Sequence, residues 1–155
     1  MANSVFSDIL EEIVQRIKDG GYIAEAVTPD LLDQYSPKDN QVIVTATGFT
    51  DNPLLSCQGN PPAQAFDASV SLICILRQSK TKDTKFMEER LSDFSGSVIS
   101  ALTTGASWWQ LGGNAIDTRI QGIDKSVEGD GSYANHTITV LVTYRTDEND
   151  PFTRR

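Results

Sequence analysis

The stretch Ala134-Asn135-His136-Thr137-Ile138-Thr139-Val140-Leu141-Val142-Thr143-Tyr144-Arg145 decides the fold. Ala134, His136, Ile138, Val140, Val142 and Tyr144 share one phase, and Asn135, Thr137, Thr139, Leu141, Thr143 and Arg145 the other. Period-two alternation in β-branched residues predicts a β-strand. At the usual rise such a strand is about 35–40 Å long. The rest of the chain must supply a sheet for it, or part of it serves a neighbouring subunit. It runs into Thr146-Asp147-Glu148-Asn149-Asp150-Pro151-Phe152, where a proline without an N–H is expected to stop pairing. Residues 147–155 then form an extended C-terminal tail.

Working outward, residues 66–78 form the other strong strand. Phe66, Ala68, Val70, Leu72, Cys74 and Leu76 fall on one face. Between Leu72 and Leu76 both faces are apolar, which predicts cover on both sides there. Residues 115–123 alternate as well, and the polar stretch 126–132 joins them to the opening strand as a long antiparallel hairpin. Weaker strand patterns lie at 22–27 and 41–47. From Gly48 to Ala63 the chain carries Pro53, Pro61 and Pro62 and reads as a long irregular loop, a class of segment that is often functional.

Two helices complete the set. Val5, Ile9, Ile13 and Ile17, with Phe6, Leu10 and Val14 beside them, recur at helical spacing from a cap at Asn3 or Ser4 to Gly20-Gly21. Met87, Leu91, Phe94, Val98 and Leu102 mark a second stripe that ends at Gly105. Gly96 interrupts it and is expected to let that helix lie close to the sheet. The order predicts an α+β fold: a mainly antiparallel β-sheet with two α-helices packed on one face and a long β-hairpin extension. At 155 residues the chain suits a single domain, 1–155.

Composition narrows the function. With 13 Lys+Arg against 21 Asp+Glu the net charge is −8, which argues against tight phosphate-backbone binding. No apolar run approaches the ~20 residues that span a bilayer, and no membrane partner is expected. The N-terminus lacks the basic and continuous apolar regions of a signal peptide. Cys57 and Cys74 make no disulfide framework and read as free thiols.

Catalytic and ligand constellations are sparse. One histidine, His136, allows no His–His zinc pair, and no CxxC accompanies it. A Cys–His nucleophile would need Cys74 or Cys57 beside it. Phosphate-binding glycine loops are missing. Asp147-Glu148-Asn149-Asp150 has calcium-ligand types without the spacing of a known loop. Asp30, Asp33 and Asp39 are scattered loop carboxylates. No cofactor or metal is expected, and no enzyme.

The binding surfaces are better furnished. In Trp108-Trp109, read as part of a strand, one ring should be core and the other exposed or held against another chain. Pro53, Leu54 and Leu55 in the long loop, and Asp147, Glu148, Asp150 and Phe152 in the tail, are the other candidate interface residues.

The segments Asn52-Pro53-Leu54-Leu55-Ser56-Cys57-Gln58-Gly59-Asn60-Pro61-Pro62-Ala63, Trp109-Gln110-Leu111-Gly112-Gly113-Asn114-Ala115-Ile116-Asp117 and Val142-Thr143-Tyr144-Arg145-Thr146-Asp147-Glu148-Asn149-Asp150-Pro151-Phe152, with the strand to Leu76-Arg77, resemble tail terminator proteins of tailed bacteriophages. The similarity runs from about residue 5 to 152, and no single motif in it is diagnostic. It implies a virion protein, assembled in the host cytoplasm, that forms a homo-oligomeric ring, typically a hexamer. Such a ring caps the head-proximal end of the tail tube and ends tube polymerisation. It meets the tail tube protein, a neck or head-completion protein and, in contractile tails, the sheath protein, while DNA passes through its lumen. A neck connector or a tail-tube subunit is the structural alternative. A small α+β enzyme or ligand-binding module using His136 is the alternative from another class.

Overall fold

A computed structural model of the chain describes residues 4–27, 40–53, 55–56, 62–77, 84–127, 133–147 and 150–154. Leu54, Cys57, Glu148, the carboxylates Asp30, Asp33 and Asp39, and the hairpin tip at 128–132 lie outside the described residues. The elements follow in the order α1 (Val5–Asp19), β1 (Ile23–Ala26), β2 (Gln41–Asp51), β3 (Ala63–Arg77), α2 (Thr84–Leu102), a 3-10 turn (Trp108–Gln110), β4 (Asp117–Val127), β5 (Tyr133–Asp147) and β6 (Asp150–Arg154).

The described strands form one six-stranded sheet in the order β1-β2-β3-β5-β4, with β6 added to β5. Only β1 runs parallel to its neighbour; the remaining pairs are antiparallel. The fold is therefore the α+β arrangement expected from the sequence. The length of β5 finds its match inside the chain: it pairs with β3 from Arg77↔Tyr133 to Ala63↔Asp147. The described part of the β4–β5 hairpin is thus integrated in the sheet rather than an arm projecting from it.

Both helices cover the face that carries the even positions of β5. Phe6 of α1 stacks on Tyr144 at 5.9 Å, and Ser95 of α2 meets His136. Val5, Ile9, Ile13 and Ile17 of α1 and Leu91, Phe94, Val98 and Leu102 of α2 are buried against Val42, Val44, Val70, Leu72, Ile138, Val140 and Val142. Burying branched apolar side chains of this size stabilises by about 1.5–3 kcal/mol each, so this layer dominates the fold's stability. On the other face Ile43, Thr45 and Ile75 are also buried, as the two-sided apolar pattern of β3 predicts.

Helix ends are secured locally. Ser4 Oγ accepts from the Ser7 N–H at 3.1 Å, and the Gly20 N–H closes the last turn onto the Arg16 and Ile17 carbonyls. The helices meet tightly at Gly20, where an added Cβ would lie 2.7 Å from that of Ala101. Arg16 spans the contact. It pairs with Glu12 at 2.9 Å and donates to the Thr104 and Leu102 carbonyls at 2.9 and 3.4 Å. A cation at the C-terminal end of α2 also satisfies its dipole. Gly96 is exposed, with nothing within 4 Å of where its Cβ would stand. The expectation that it brings α2 close to the sheet is corrected; Gly20 plays that part between the helices.

Three local readings differ from the structure. Strand β2 does not stop at Thr47; a bulge between Ala46 and Gly48 carries it on to Asp51, so Gly48 marks an irregular strand and not the start of a loop. Residues 150–154 do not trail away but fold back on β5 as β6. Pro151 is tolerated because β6 is an outer strand, where a missing N–H costs no ladder bond. Trp108-Trp109 form a 3-10 turn and not a strand.

Candidate functional site

One end of the sheet gathers the residues that look outward. There β2 ends at Asp51 opposite Phe66, Phe66 lies opposite Tyr144, and β4 begins at Asp117 opposite Thr143. The chain therefore brings to this end the loop after β2, the end of β5 with β6, and the turn before β4.

An aromatic cluster forms the floor. Phe6 packs edge-on against Phe49 at 4.6 Å and stacks on Tyr144, which meets Phe66 at 5.6 Å. Edge and offset contacts suit the ring quadrupoles. Phe49 is still 53% exposed, so the cluster opens to solvent. Its position follows from the bulge in β2, after which Phe49 pairs with Ala68 on the helix-bearing face.

The loop after β2 is pinned. The Asn52 N–H donates to the Ala65 carbonyl at 2.9 Å. Ser56 Oγ donates to the Asn52 carbonyl and accepts from the Ala65 N–H. Asp67 accepts from Asn52 Nδ2 at 3.2 Å and from Thr143 Oγ1 at 2.6 Å, tying the loop through β3 to β5. Pro53 and Leu55 are held outward on this frame, Leu55 being 41% exposed.

The turn before β4 is shaped by left-handed backbone. Leu111, Gly112 and Gly113 all have positive φ, at 45°, 69° and 86°. Only glycine adopts this region without cost, and Leu111 is kept there by full burial. Consecutive left-handed residues reverse the chain just after Gln110, which is why the two tryptophans cannot continue as a strand. The anchor of this turn is Leu111. Trp108 is half-buried and Trp109 is 38% exposed. The expectation that one tryptophan is core is overturned, and both rings reach solvent. Thr118 Oγ1 donates to the Trp109 carbonyl at 2.8 Å, which fixes the turn to β4.

On the far side of the patch β6 carries Phe152, 55% exposed, with its N–H bonded to Asp150 Oδ1 at 3.0 Å. Asp51, Asp117, Asp147 and Asp150 lie at the same end of the sheet, Asp117 on the face away from the helices, where it holds Arg119 at 2.8 Å. The described candidates named from the sequence (Pro53, Leu55, Trp108, Trp109, Asp147, Asp150 and Phe152) thus converge on one end. Phe6 and Phe49 belong with them and were missed. A phenylalanine just beyond an exposed glycine in a strand was the available signal. Exposed aromatics gathered at one end of a sheet, with acidic residues at the same end, have the composition of a protein-docking patch.

His136 stands elsewhere, under α2 and 7% exposed, with Nδ1 3.1 Å from Ser95 Oγ. The register does place Cys74 directly opposite it. Burial, however, pushes the Cys74 thiol up to about 12, so the sulfur stays protonated and is no nucleophile at neutral pH. Among the described residues no three His, Cys, Asp or Glu side chains come together to hold a metal ion. No described helix is long and apolar enough to cross a membrane. No protein-family model matches the chain, and no curated protein matches it.

Proposed function

We propose that the protein is a structural subunit of a bacteriophage tail, a tail terminator. Copies of the chain form a ring, a hexamer in the reading favoured by the sequence resemblance, on the head-proximal end of the tail tube. The ring ends tube growth and offers its other side to a neck or head-completion protein. DNA crosses the lumen without being held, which suits a net charge of −8.

The observation that carries this reading is the patch itself. Phe49, Leu55, Trp109 and Phe152 are large, apolar and exposed on one end of the sheet, and Asn52, where the chain leaves β2, is tied through Asp67 to β5. Large exposed apolar side chains gathered at one end of a sheet suit docking against another protein. The three sequence segments that resemble tail terminators supply its loop, its turn and its C-terminal strand. The burial of His136 beneath α2 speaks against the enzyme alternative.

The test is to add the purified chain to its cognate tail tube protein during polymerisation. The expected result is tubes of defined length with a ring at one end by negative-stain microscopy. Tubes that lengthen unchanged and carry no ring would overturn the proposal.

A further inference from the structure

Strand β4 ends the sheet on the side away from β1. Among the described residues, Arg119 to Asp124 bond to β5 and, through the Arg119–Asp117 pair, within their own strand, and to nothing else. All of them are exposed except Ile120, which is half-buried. Helix α1 packs on β1 and β2, and α2 on β3 and β5. The helix-bearing side of β4 is therefore left partly open, and Ile123 there is 47% exposed. An edge strand with unpaired backbone groups accepts another strand unless charges or a bulge guard it. This edge has both features: Arg119 and Asp124 carry charge, and Gln121 is the extra residue of a bulge between Ile120 and Gly122. Their spacing suits one particular partner.

We infer that this edge pairs with the same edge of a second copy of the chain, antiparallel, about a two-fold axis perpendicular to the sheet. Such an axis reverses strand direction and keeps the helices of both copies on one side. It passes through the bulge. Ile120 precedes the bulge and Ile123 follows it, both on the helix-bearing face, since they pair with Val140 and Ile138. One step further out, Arg119 and Asp124 lie on the other face, opposite Leu141 and Thr137. In a regular strand, residues three or five apart fall on opposite faces. The extra residue brings each of these pairs onto one face, which is what makes the edge complementary to itself.

The axis thus sets Ile120 of each copy opposite Ile123 of the other, and Arg119 of each opposite Asp124 of the other. Every contact occurs twice. Apolar branched pairs and opposite charges directly across strands favour pairing, and like charges oppose it. The Arg119 side chain is 76% exposed and holds Asp117 through Nε, so both terminal nitrogens of its guanidinium can take a second carboxylate. Among the described residues the Asp124 carboxylate has no partner within the chain. The contact is isologous and closes at two copies. It is therefore distinct from the contact that would close a ring, and it does not rest on the ring reading.

The test uses the full chain. Asp124→Arg, which leaves the Arg119–Asp117 pair in place, and Arg119→Glu are made singly and together. Association is followed by sedimentation velocity over a concentration series. The unaltered chain is expected to show a monomer–dimer equilibrium. Each single reversal should weaken it about five-fold or more, and the double exchange should restore it. Melting temperatures of all three variants check that the fold is intact. In a Cys57→Ser background, Gln121→Cys stands on the axis and should cross-link to itself through a short bismaleimide; Lys18→Cys, exposed on α1, should not. Self-cross-linking at 121 together with the rescue by the double exchange would establish the contact. A chain that stays monomeric and uncross-linked at the highest attainable concentration would overturn it. Association that ignores both reversals and gives no 121–121 cross-link would overturn it too, and would leave the terminator reading standing.

Discussion

Leu111→Ala should be among the most damaging single changes near the docking patch, although the residue sits between two tryptophans and two glycines. Its side chain is fully buried in the main apolar cluster and holds the turn that presents Trp108 and Trp109. Truncating a fully buried leucine costs about 2–5 kcal/mol from lost transfer energy and the cavity left behind. In a chain of this size that lowers the melting temperature by about 6–12 °C, taking a central loss of about 3 kcal/mol. The backbone adds a second, separable effect. Leu111 lies at φ 45°, ψ 57°, where a Cβ costs roughly 1 kcal/mol or more. Leu111→Gly loses the same side chain but sheds that strain, so it should be at least as stable as Leu111→Ala, against the usual order of the two residues. Trp109→Ala, partly exposed, should cost clearly less than Leu111→Ala, about 1 kcal/mol. Urea unfolding of the four proteins decides it. If Trp109→Ala costs more than Leu111→Ala, or Leu111→Gly is less stable than Leu111→Ala by about 1 kcal/mol, the account of the turn is wrong.

Further outcomes are expected elsewhere. Arg16→Ala removes the tie from α1 to the Thr104 and Leu102 carbonyls and should cost about 1–2 kcal/mol in urea unfolding; no change would show that the helix contact rests on packing alone. The Cys74 thiol ionises at 9.0 when unfolded and at about 12 when folded. The folded state thus holds its proton longer, and the associated stability is complete below pH 9 and falls by roughly 1.4 kcal/mol per pH unit between 9 and 12. Cys74→Val should flatten that slope in pH-dependent unfolding; an unchanged slope would assign it to other groups, Tyr144 first, whose ionisation burial also raises. His136→Ala should lower stability yet leave tail assembly intact at permissive temperature. Lost function with normal fold and assembly would revive the enzyme alternative.

Much of the fold could be read from the sequence because its strongest signals are periodic. The α1 stripe at Val5, Ile9, Ile13 and Ile17 and the alternation from Ala134 to Tyr144 each report burial on one face, and the hydrophobic effect enforces both periods. One partner of β5 was legible too, since the alternating residues 115–123 precede it across one polar stretch, and β4 does pair with it as a hairpin. What failed were readings based on single residues. Gly48 looked like a loop, but a bulge absorbs it. Pro151 looked like a stop, but an outer strand accepts it. Trp108 and Trp109 looked like alternating strand residues, but the left-handed run at Leu111, Gly112 and Gly113 sets the conformation of the whole turn. The parallel pairing of β1 left no trace in its four residues. For the candidate site, residue types were visible one at a time. Their meeting at one end depends on the Phe66↔Tyr144 and Asp117↔Thr143 registers, which local patterns do not encode.

The terminator reading meets its most direct test in the virion. A cryo-EM reconstruction of the tail's head-proximal end, made on particles that carry this chain, should contain it as a closed ring seated on the last layer of the tube. The end bearing Phe49, Leu55, Trp109 and Phe152 should be in contact with a neighbouring protein. Particles whose tube end holds no copy of the chain would contradict the account.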